Sequence, residues 1–142
     1  MKKLKMKNSM KKFVFAAVAA VMLASVAAYA STVTECKAII EGLKAKTTTV
    51  AIAGKQAETK DRPGMIIKLD EANLKLDQAK FCDAVQKLND FKVKVNQLSA
   101  AGKLNQDPAA GTTGQELLAD ADAAITCINE LVAQSGAAPC AF

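Results

Sequence analysis

The sequence predicts an all-α fold, a disulfide-stapled up-and-down bundle of about four helices. Apolar residues recur at helical spacing in several segments, no two segments pair convincingly as strands, and four cysteines fall where a bundle brings them to one end. The clearest amphipathic segment runs from Phe81 to Leu98. We expect the other helices to pack against its apolar face, formed by Phe81, Ala84, Val85, Leu88, Phe91, Val95 and Leu98.

Residues 1–30 are predicted to be a secretory signal peptide, and residues 31–142 a single four-helix domain. A lysine-rich start precedes the apolar run Phe13 to Val26, and Ala28 and Ala30 are the small residues of a cleavage site between Ala30 and Ser31. The alternative is a membrane anchor, but the apolar run is shorter than the roughly 20 residues that span a bilayer. We therefore expect an exported protein, periplasmic or secreted, that meets the membrane only through its cleaved signal.

The basic charge of the whole chain comes from the predicted signal peptide. Six of the 19 lysines and arginines lie in residues 1–30, together with none of the 14 acidic residues. Residues 31–142 therefore carry 13 basic and 14 acidic side chains, a net charge of −1. Nucleic acids and acidic membranes bind cationic surfaces, so the sequence predicts no nucleic-acid partner.

All four cysteines, Cys36, Cys82, Cys127 and Cys140, lie in the predicted domain, and in an exported chain they indicate two disulfides. A zinc site is not favoured, because the chain has no C-x-x-C pair and no histidine. Spacing alone does not choose among the three possible pairings. Adjacent antiparallel helices favour Cys36–Cys127, which leaves Cys82–Cys140 to pin a C-terminal tail from Gln134 to Phe142.

The first helix is predicted to begin near Thr32, because Thr32 and Glu35 form a capping box. Its apolar stripe continues to Leu43. The run Thr47 to Ile52 is rich in residues that favour strands, but no partner strand is evident. We interpret this run as helix that continues or frays towards Gly54.

The second helix is predicted to follow the polar connection Lys55 to Arg62, with Asp61 as its cap and Pro63 in its first turn. A short break around Asp77 to Lys80 separates it from the third helix, although a single bent helix is the alternative. The remaining boundaries are the end of the third helix near Ser99 to Gly102, a loop from Lys103 to Gly114, and a fourth helix from Gln115 to Ala133.

Four short segments between Leu43 and Leu131 share a pattern of apolar helix positions and one glycine turn. They are Lys68-Leu69-Asp70-Glu71-Ala72, Ala84-Val85-Gln86-Lys87-Leu88-Asn89-Asp90-Phe91 with Val95, Ala101-Gly102-Lys103-Leu104, and Gly114-Gln115-Glu116-Leu117-Leu118-Ala119-Asp120-Ala121 with Ile125. These segments resemble the FIMAH-type helical domain, a small bundle at the ends of secreted bacterial proteases, other hydrolases and surface proteins.

The resemblance implies an extracytoplasmic accessory module rather than a catalyst. It carries over no binding residues, because the matching positions are structural. Two features depart from the family pattern: this chain contains no hydrolase domain, and Asp107 to Gly111 looks inserted before the fourth helix.

The side chains offer little for catalysis. Without histidine, Ser-His and Cys-His nucleophile systems are excluded. The acidic pairs Asp70 with Glu71 and Asp120 with Asp122 are interpreted as solvated surface charge, because residues so close in sequence do not share a helix face. The sequence predicts no catalytic residue, cofactor or metal ligand.

The sequence therefore favours an exported, non-catalytic interaction or accessory module that binds a protein or cell-surface partner. The alternatives are a periplasmic chaperone or enzyme inhibitor, and a carrier that holds a small apolar ligand in the bundle interior. We expect any functional surface around Lys87, Asp90 and Lys94 on the third helix, or on the loop from Lys103 to Gly114.

Overall fold

Four helices form the domain, as the sequence predicts. The computed structural model describes residues 31–142, so the predicted signal peptide and Ala30 lie outside the described part. Each helix packs against two neighbours in the cyclic order α1, α2, α3, α4. None of the described helices is long and apolar enough to cross a membrane. The helices are α1 (Val33–Thr49), α2 (Arg62–Asp77), α3 (Phe81–Ala100) and α4 (Gly114–Gln134).

Helix α1 begins at the predicted capping box. The Glu35 amide donates to Thr32 Oγ1 at 3.2 Å, and the Thr32 amide donates to Glu35 Oε2 at 2.7 Å. The threonines near its end are helical because their hydroxyls find acceptors one turn back. Thr47 Oγ1 donates to the Leu43 carbonyl at 2.8 Å and is fully buried. Burial of Thr47 in the core thus outweighs its preference for strands.

The segment after α1 corrects the expectation that the helix frays towards Gly54. The helix ends at Thr49, and Ile52 pairs with Leu104 in an isolated antiparallel bridge. The Ala53 amide donates to the Lys103 carbonyl at 2.7 Å, and the Asn105 amide donates to the Ala51 carbonyl at 3.1 Å. The extended segment does have a partner, which lies in the loop between α3 and α4.

Asp61 does not cap α2, so that prediction was wrong. A π-helical turn, Ala57–Asp61, leads directly into α2, and Asp61 itself has helical φ and ψ of −73° and −52°. The chain is already helical before Pro63, and the Arg62 amide donates to the Ala57 carbonyl, so the helical segment does not begin at Asp61. Its carboxylate is instead buried and bonds Lys94 on α3.

Helices α2 and α3 are separate, which excludes the single bent helix. The Ala79 amide donates to the Leu76 carbonyl at 3.0 Å, and the Lys80 amide donates to the Lys75 carbonyl at 2.9 Å. This pair of bonds is a Schellman motif, which requires a left-handed residue after the helix. Ala79 is that residue, with φ of 55°.

The core lies between the four helices. Six of the seven predicted apolar positions of α3 are buried, and Phe81 at its start is only partly buried. Phe91 is the largest fully buried side chain, and it belongs to a core cluster to which all four helices contribute. The other large fully buried side chains include Ile40, Leu43, Met65, Leu69, Leu88, Leu117 and Ile128.

Candidate functional site

Both predicted disulfides are present, and they define one end of the bundle, here called the disulfide end. Cys36 bonds Cys127 and Cys82 bonds Cys140, with Cα–Cα distances of 5.6 and 5.3 Å. This confirms the pairing that the bundle geometry favours. Ser31, the predicted first residue after cleavage, lies at the same end and donates a hydrogen bond from its hydroxyl to Glu130 on α4.

The C-terminal tail crosses the disulfide end on the surface. After α4, Gly136 adopts φ of 72°, and residues 135–142 are exposed except for the half-buried Cys140. Phe142 is 70% exposed and so does not pack on the bundle end. Within residues 31–142, no hydrogen bond joins residues 138–142 to the rest of the chain. The disulfide to Cys82 is therefore the main attachment of the tail.

Two open depressions flank the tail. One, of about 310 Å³, is lined by α4 residues near Val132 and by Pro139 and Cys140. The other, of about 370 Å³, is lined by residues 79–83, Val132 and Ala137. A third, of about 310 Å³, lies beside the Ile52–Leu104 bridge at the opposite end. All three lie at the ends of the bundle, so none of them supports an apolar ligand held between the helices.

The acidic residues considered for catalysis lie in ion pairs between helices. Glu71 pairs with Lys87 on α3 at 3.0 Å, and Asp120 pairs with Lys46 on α1 at 2.7 Å. Each of the four contacts between neighbouring helices has at least one such pair. The other pairs that join helices are Lys37–Asp77, Lys44–Asp70, Lys75–Asp83 and Lys92–Asp122.

The expected polar surface on α3 is largely occupied by these pairs. Lys87 bonds Glu71, and this contact lowers the pKa of the Glu71 carboxyl and raises that of Lys87. Lys94 bonds Asp61 at 2.9 Å. Two of the three residues predicted to form this surface therefore hold α3 against α2, and only Asp90 has no such role among the described ion pairs.

The opposite end of the bundle is held by a charged cluster, here called the ion-pair end, made of Asp61, Arg62, Lys94 and Lys103. Asp61 is 3% exposed and lies 2.9 Å from Lys94 Nζ and 3.6 Å from Lys103 Nζ. The hydrogen bond from Lys94 is the main cause that lowers the pKa of the Asp61 carboxyl. The sequence did not indicate this cluster, because Lys94 and Lys103 lie far from Asp61 and Arg62 in the chain.

Arg62 ties the end of α1 to the start of α2. Its guanidinium donates to the carbonyl of Thr47 at 2.6 Å and to that of Val50 at 2.9 Å. It also bonds Glu58 through Nε and Nη2. These bonds satisfy carbonyls that the end of a helix leaves without partners, so Arg62 acts as a structural cap.

The loop from Lys103 to Gly114 is ordered around one side chain. Asn105 Nδ2 lies 3.0 Å from the carbonyls of both Asp107 and Thr112, and its Oδ1 accepts from the Asp107 amide at 3.0 Å. Asp107 in turn caps the short 3₁₀ turn Pro108–Ala110. The loop is therefore pre-formed, and residues 106–111 at its tip are exposed.

Three large apolar side chains are exposed on the outer faces of the helices. Ile67 and Leu74 on α2 are each 53% exposed, and Val93 on α3 is 55% exposed. Ile67 and Leu74 are seven residues apart, so they lie on the same side of α2. Sequence reasoning missed this pair, although both residues stand outside the spacing of the buried α2 positions Met65, Leu69, Ala72 and Leu76.

Neither a metal centre nor a known relative assigns chemistry to this bundle. Among residues 31–142, no three metal-ligating side chains group together. Comparison of the chain with protein-family models, with curated proteins and with solved structures finds no match. Within residues 31–142, the exposed pair on α2 and the tail at the disulfide end are two surfaces that the internal packing leaves exposed.

Proposed function

We propose that the protein is an exported, non-catalytic interaction module that binds a protein partner through the outer face of α2. The observation that carries the proposal is the exposed apolar pair Ile67 and Leu74. Burying apolar surface is worth roughly 25 cal/mol per Å². Two half-exposed aliphatic side chains on one side of a helix therefore provide a partner with apolar area to cover.

The charges next to this pair favour an apolar partner. Asp70 and Glu71 lie between Ile67 and Leu74 in the sequence, and each carboxylate is already paired, with Lys44 and Lys87 respectively. A partner that covers this face does not have to bury an unpaired charge, which would oppose binding. Exposed aliphatic side chains whose neighbouring charges are already paired resemble the apolar core of a protein–protein interface.

The disulfides support the proposed location. Two disulfides in a short chain are typical of an oxidising compartment outside the cytoplasm. The predicted signal peptide over residues 1–30 would direct the chain there. The resemblance to the FIMAH-type domain agrees with this location and with an accessory role, and membership of that family is part of the proposal.

The ion pairs support a non-catalytic role. A general acid or base needs a carboxyl group that can reach a substrate. Asp70, Glu71, Asp120 and Asp122 are each held by a lysine on a neighbouring helix. The ion pairs between helices explain the positions of these carboxylates without a catalytic role. A chaperone or an enzyme inhibitor would also use an exposed apolar face, so binding alone does not separate these alternatives.

The proposal is tested with purified residues 31–142 in three forms: wild type, Ile67→Gln with Leu74→Gln, and Val93→Gln. We expect the wild type and Val93→Gln to capture the same specific protein from an envelope extract of the source cells, and the α2 variant to lose it. Glutamine favours helix, and the three substituted side chains are exposed on the outer faces of α2 and α3. The free energies of unfolding of the three forms should therefore agree within about 0.5 kcal/mol.

Four results would count against the proposal or identify one of its alternatives. Equal capture by all three forms would exclude the outer face of α2 as the binding surface. Stoichiometric inhibition of a captured enzyme would identify an inhibitor, and general suppression of aggregation of unrelated unfolded proteins would identify a chaperone. Turnover of any substrate in a hydrolase panel would contradict the non-catalytic role. Export is checked separately on the protein isolated from the source cells, whose mass should be that of a mature chain beginning at Ser31.

A further inference from the structure

The two disulfides differ in their access to solvent. Cys36 is fully buried and Cys127 is 7% exposed, so the sulfurs of this bridge lie in the core. Cys82 and Cys140 are each half-buried, and each lines one of the two depressions beside the tail. An incoming thiolate can therefore approach the Cys82–Cys140 bridge from either side, but reaches Cys36–Cys127 only if the helices separate.

The start of α3 also favours a thiolate at Cys82. Helices α1 and α4 begin with capping boxes, whereas Lys80 before α3 provides no side-chain cap. Cys82 is the second residue of α3, where free amide groups and the helix dipole stabilise negative charge. The carboxylate of the next residue, Asp83, pairs with Lys75 at 3.7 Å.

The core cysteines lack this stabilisation. Cys36 follows an occupied capping box, and Cys127 lies inside α4, away from either helix end. A thiolate released at either position would be surrounded by apolar side chains, which disfavour the charged form. Attack on this bridge is thus opposed both by the burial of its sulfurs and by the poor stability of the leaving thiolate.

We propose that Cys82–Cys140 is a site of thiol–disulfide exchange, which an external dithiol opens while Cys36–Cys127 stays intact. A thiolate of the dithiol attacks Cys140 Sγ, the bond between the two sulfurs breaks, and Cys82 leaves as a thiolate. The second thiol of the dithiol, once deprotonated, then attacks the first sulfur of the same dithiol molecule, which is bonded to Cys140 in the mixed disulfide. This attack releases Cys140 as a thiolate. The dithiol becomes a disulfide, and its two electrons and two protons pass to Cys82 and Cys140.

Opening this bridge would release the tail. Within the described chain, residues 138–142 have no hydrogen bonds to the helices. Val132 is buried and lines both depressions, together with the tail residue Ala137. Departure of the tail therefore merges the two depressions into one apolar surface at the disulfide end, while the helices and the core bridge remain in place.

The first test is stepwise reduction of the folded, oxidised protein with dithiothreitol, followed by acid quenching, alkylation and peptide mapping. We expect Cys82 and Cys140 to be alkylated at reductant concentrations at least about tenfold lower than Cys36 and Cys127, with the helical circular dichroism signal unchanged. Simultaneous alkylation of all four cysteines, or earlier alkylation of the core pair, would overturn the proposal.

The second test examines the leaving group. Lys80→Asp provides the missing cap and places a negative charge beside Cys82, and we expect the rate of opening to fall at least about threefold. Lys55→Asp makes the same change of charge away from α3 and should leave the rate unchanged. Equal rates in both variants would exclude a role for the start of α3. A mixed disulfide trapped with glutathione should map to Cys140, and mapping to Cys82 would contradict the proposed direction of attack.

Discussion

The two ends of the bundle are held by different kinds of bond. At the disulfide end, Cys36–Cys127 and Cys82–Cys140 join α1 to α4 and the tail to α3. At the ion-pair end, Asp61 joins α2 to α3 through Lys94, and Arg62 bonds the last carbonyls of α1. The Ile52–Leu104 bridge connects two loops at that same end.

This difference determines what each end responds to. Disulfides resist acid but are opened by thiols, whereas an ion pair is indifferent to thiols but is lost when its carboxylate takes up a proton. The disulfide end is therefore sensitive to redox conditions and the ion-pair end to pH. The difference is tested most directly by breaking one end at a time.

The largest effect is expected from the core bridge, replaced as Cys36→Ala with Cys127→Ala. For a separation of 91 residues, the loop-entropy relation gives a loss of about 4.5 kcal/mol in the free energy of unfolding. Packing keeps the two positions in contact when the bond is absent, so the full loss should appear. Urea unfolding followed by circular dichroism measures it.

The tail bridge is the matched comparison, replaced as Cys82→Ala with Cys140→Ala. Its separation is 58 residues, but without the bond the tail becomes free in the folded state as well. The folded state then gains part of the entropy that the unfolded state gains, which reduces the expected loss to about 2 kcal/mol. Equal losses for the two bridges would show that the tail is held by contacts other than its disulfide.

At the ion-pair end, Asp61→Asn should lower the free energy of unfolding by about 2 kcal/mol at pH 7, because it removes a buried carboxylate from two lysines. The folded protein holds the pKa of Asp61 below its unfolded value of about 3.9. The stabilisation is therefore complete above about pH 4 and is lost as the pH falls through the folded pKa.

The pH profile distinguishes this ion pair from a general surface effect. The difference between wild type and Asp61→Asn should disappear in acid, below the folded pKa of Asp61. Asp120→Asn is the control, because its pair with Lys46 is more exposed and should contribute less than about 1 kcal/mol. A difference between Asp61→Asn and wild type that persists in acid would mean that packing, rather than charge, is what Asp61 contributes.

The sequence predicted the disulfide end better than the ion-pair end. Helical periodicity and chain direction are enough to bring four cysteines together, because both follow from local spacing. Asp61 lies two residues before Pro63 and so locally resembles a helix cap, but its partners Lys94 and Lys103 come from α3 and the loop after it. No local pattern specifies such contacts.

The candidate surfaces show the same limit. The α3 residues Lys87 and Lys94 were expected to face a partner, because charge on a helix usually faces solvent. Their actual partners, Glu71 and Asp61, depend on how α2 is rotated against α3, which periodicity does not determine. Ile67 and Leu74 were visible as apolar residues outside the buried stripe, but only the packed bundle shows that nothing within residues 31–142 covers them.

The smallest change in the free energy of unfolding is expected from substitutions at two helix ends that share one motif. Helices α2 and α3 both end in a Schellman motif, with Ala79 and Gly102 in the left-handed position at φ of 55° and 65°. Alanine in this conformation is strained by roughly 1 kcal/mol, and glycine is not. Ala79→Gly should therefore stabilise the protein by about 0.5–1 kcal/mol, and Gly102→Ala should destabilise it by a similar amount.

Thermal unfolding of the two single variants and of the double variant checks this pair. The two positions lie at opposite ends of α3, one beside the disulfide end and one beside Lys103, so their effects should add and nearly cancel in the double variant. If Ala79→Gly destabilises instead, the turn before Cys82 is stabilised by contacts of the Ala79 methyl group, which lines the depression beside the tail. The start of α3 would then depend on the packing of the tail, and that dependence would couple helix and tail when the Cys82–Cys140 bridge opens.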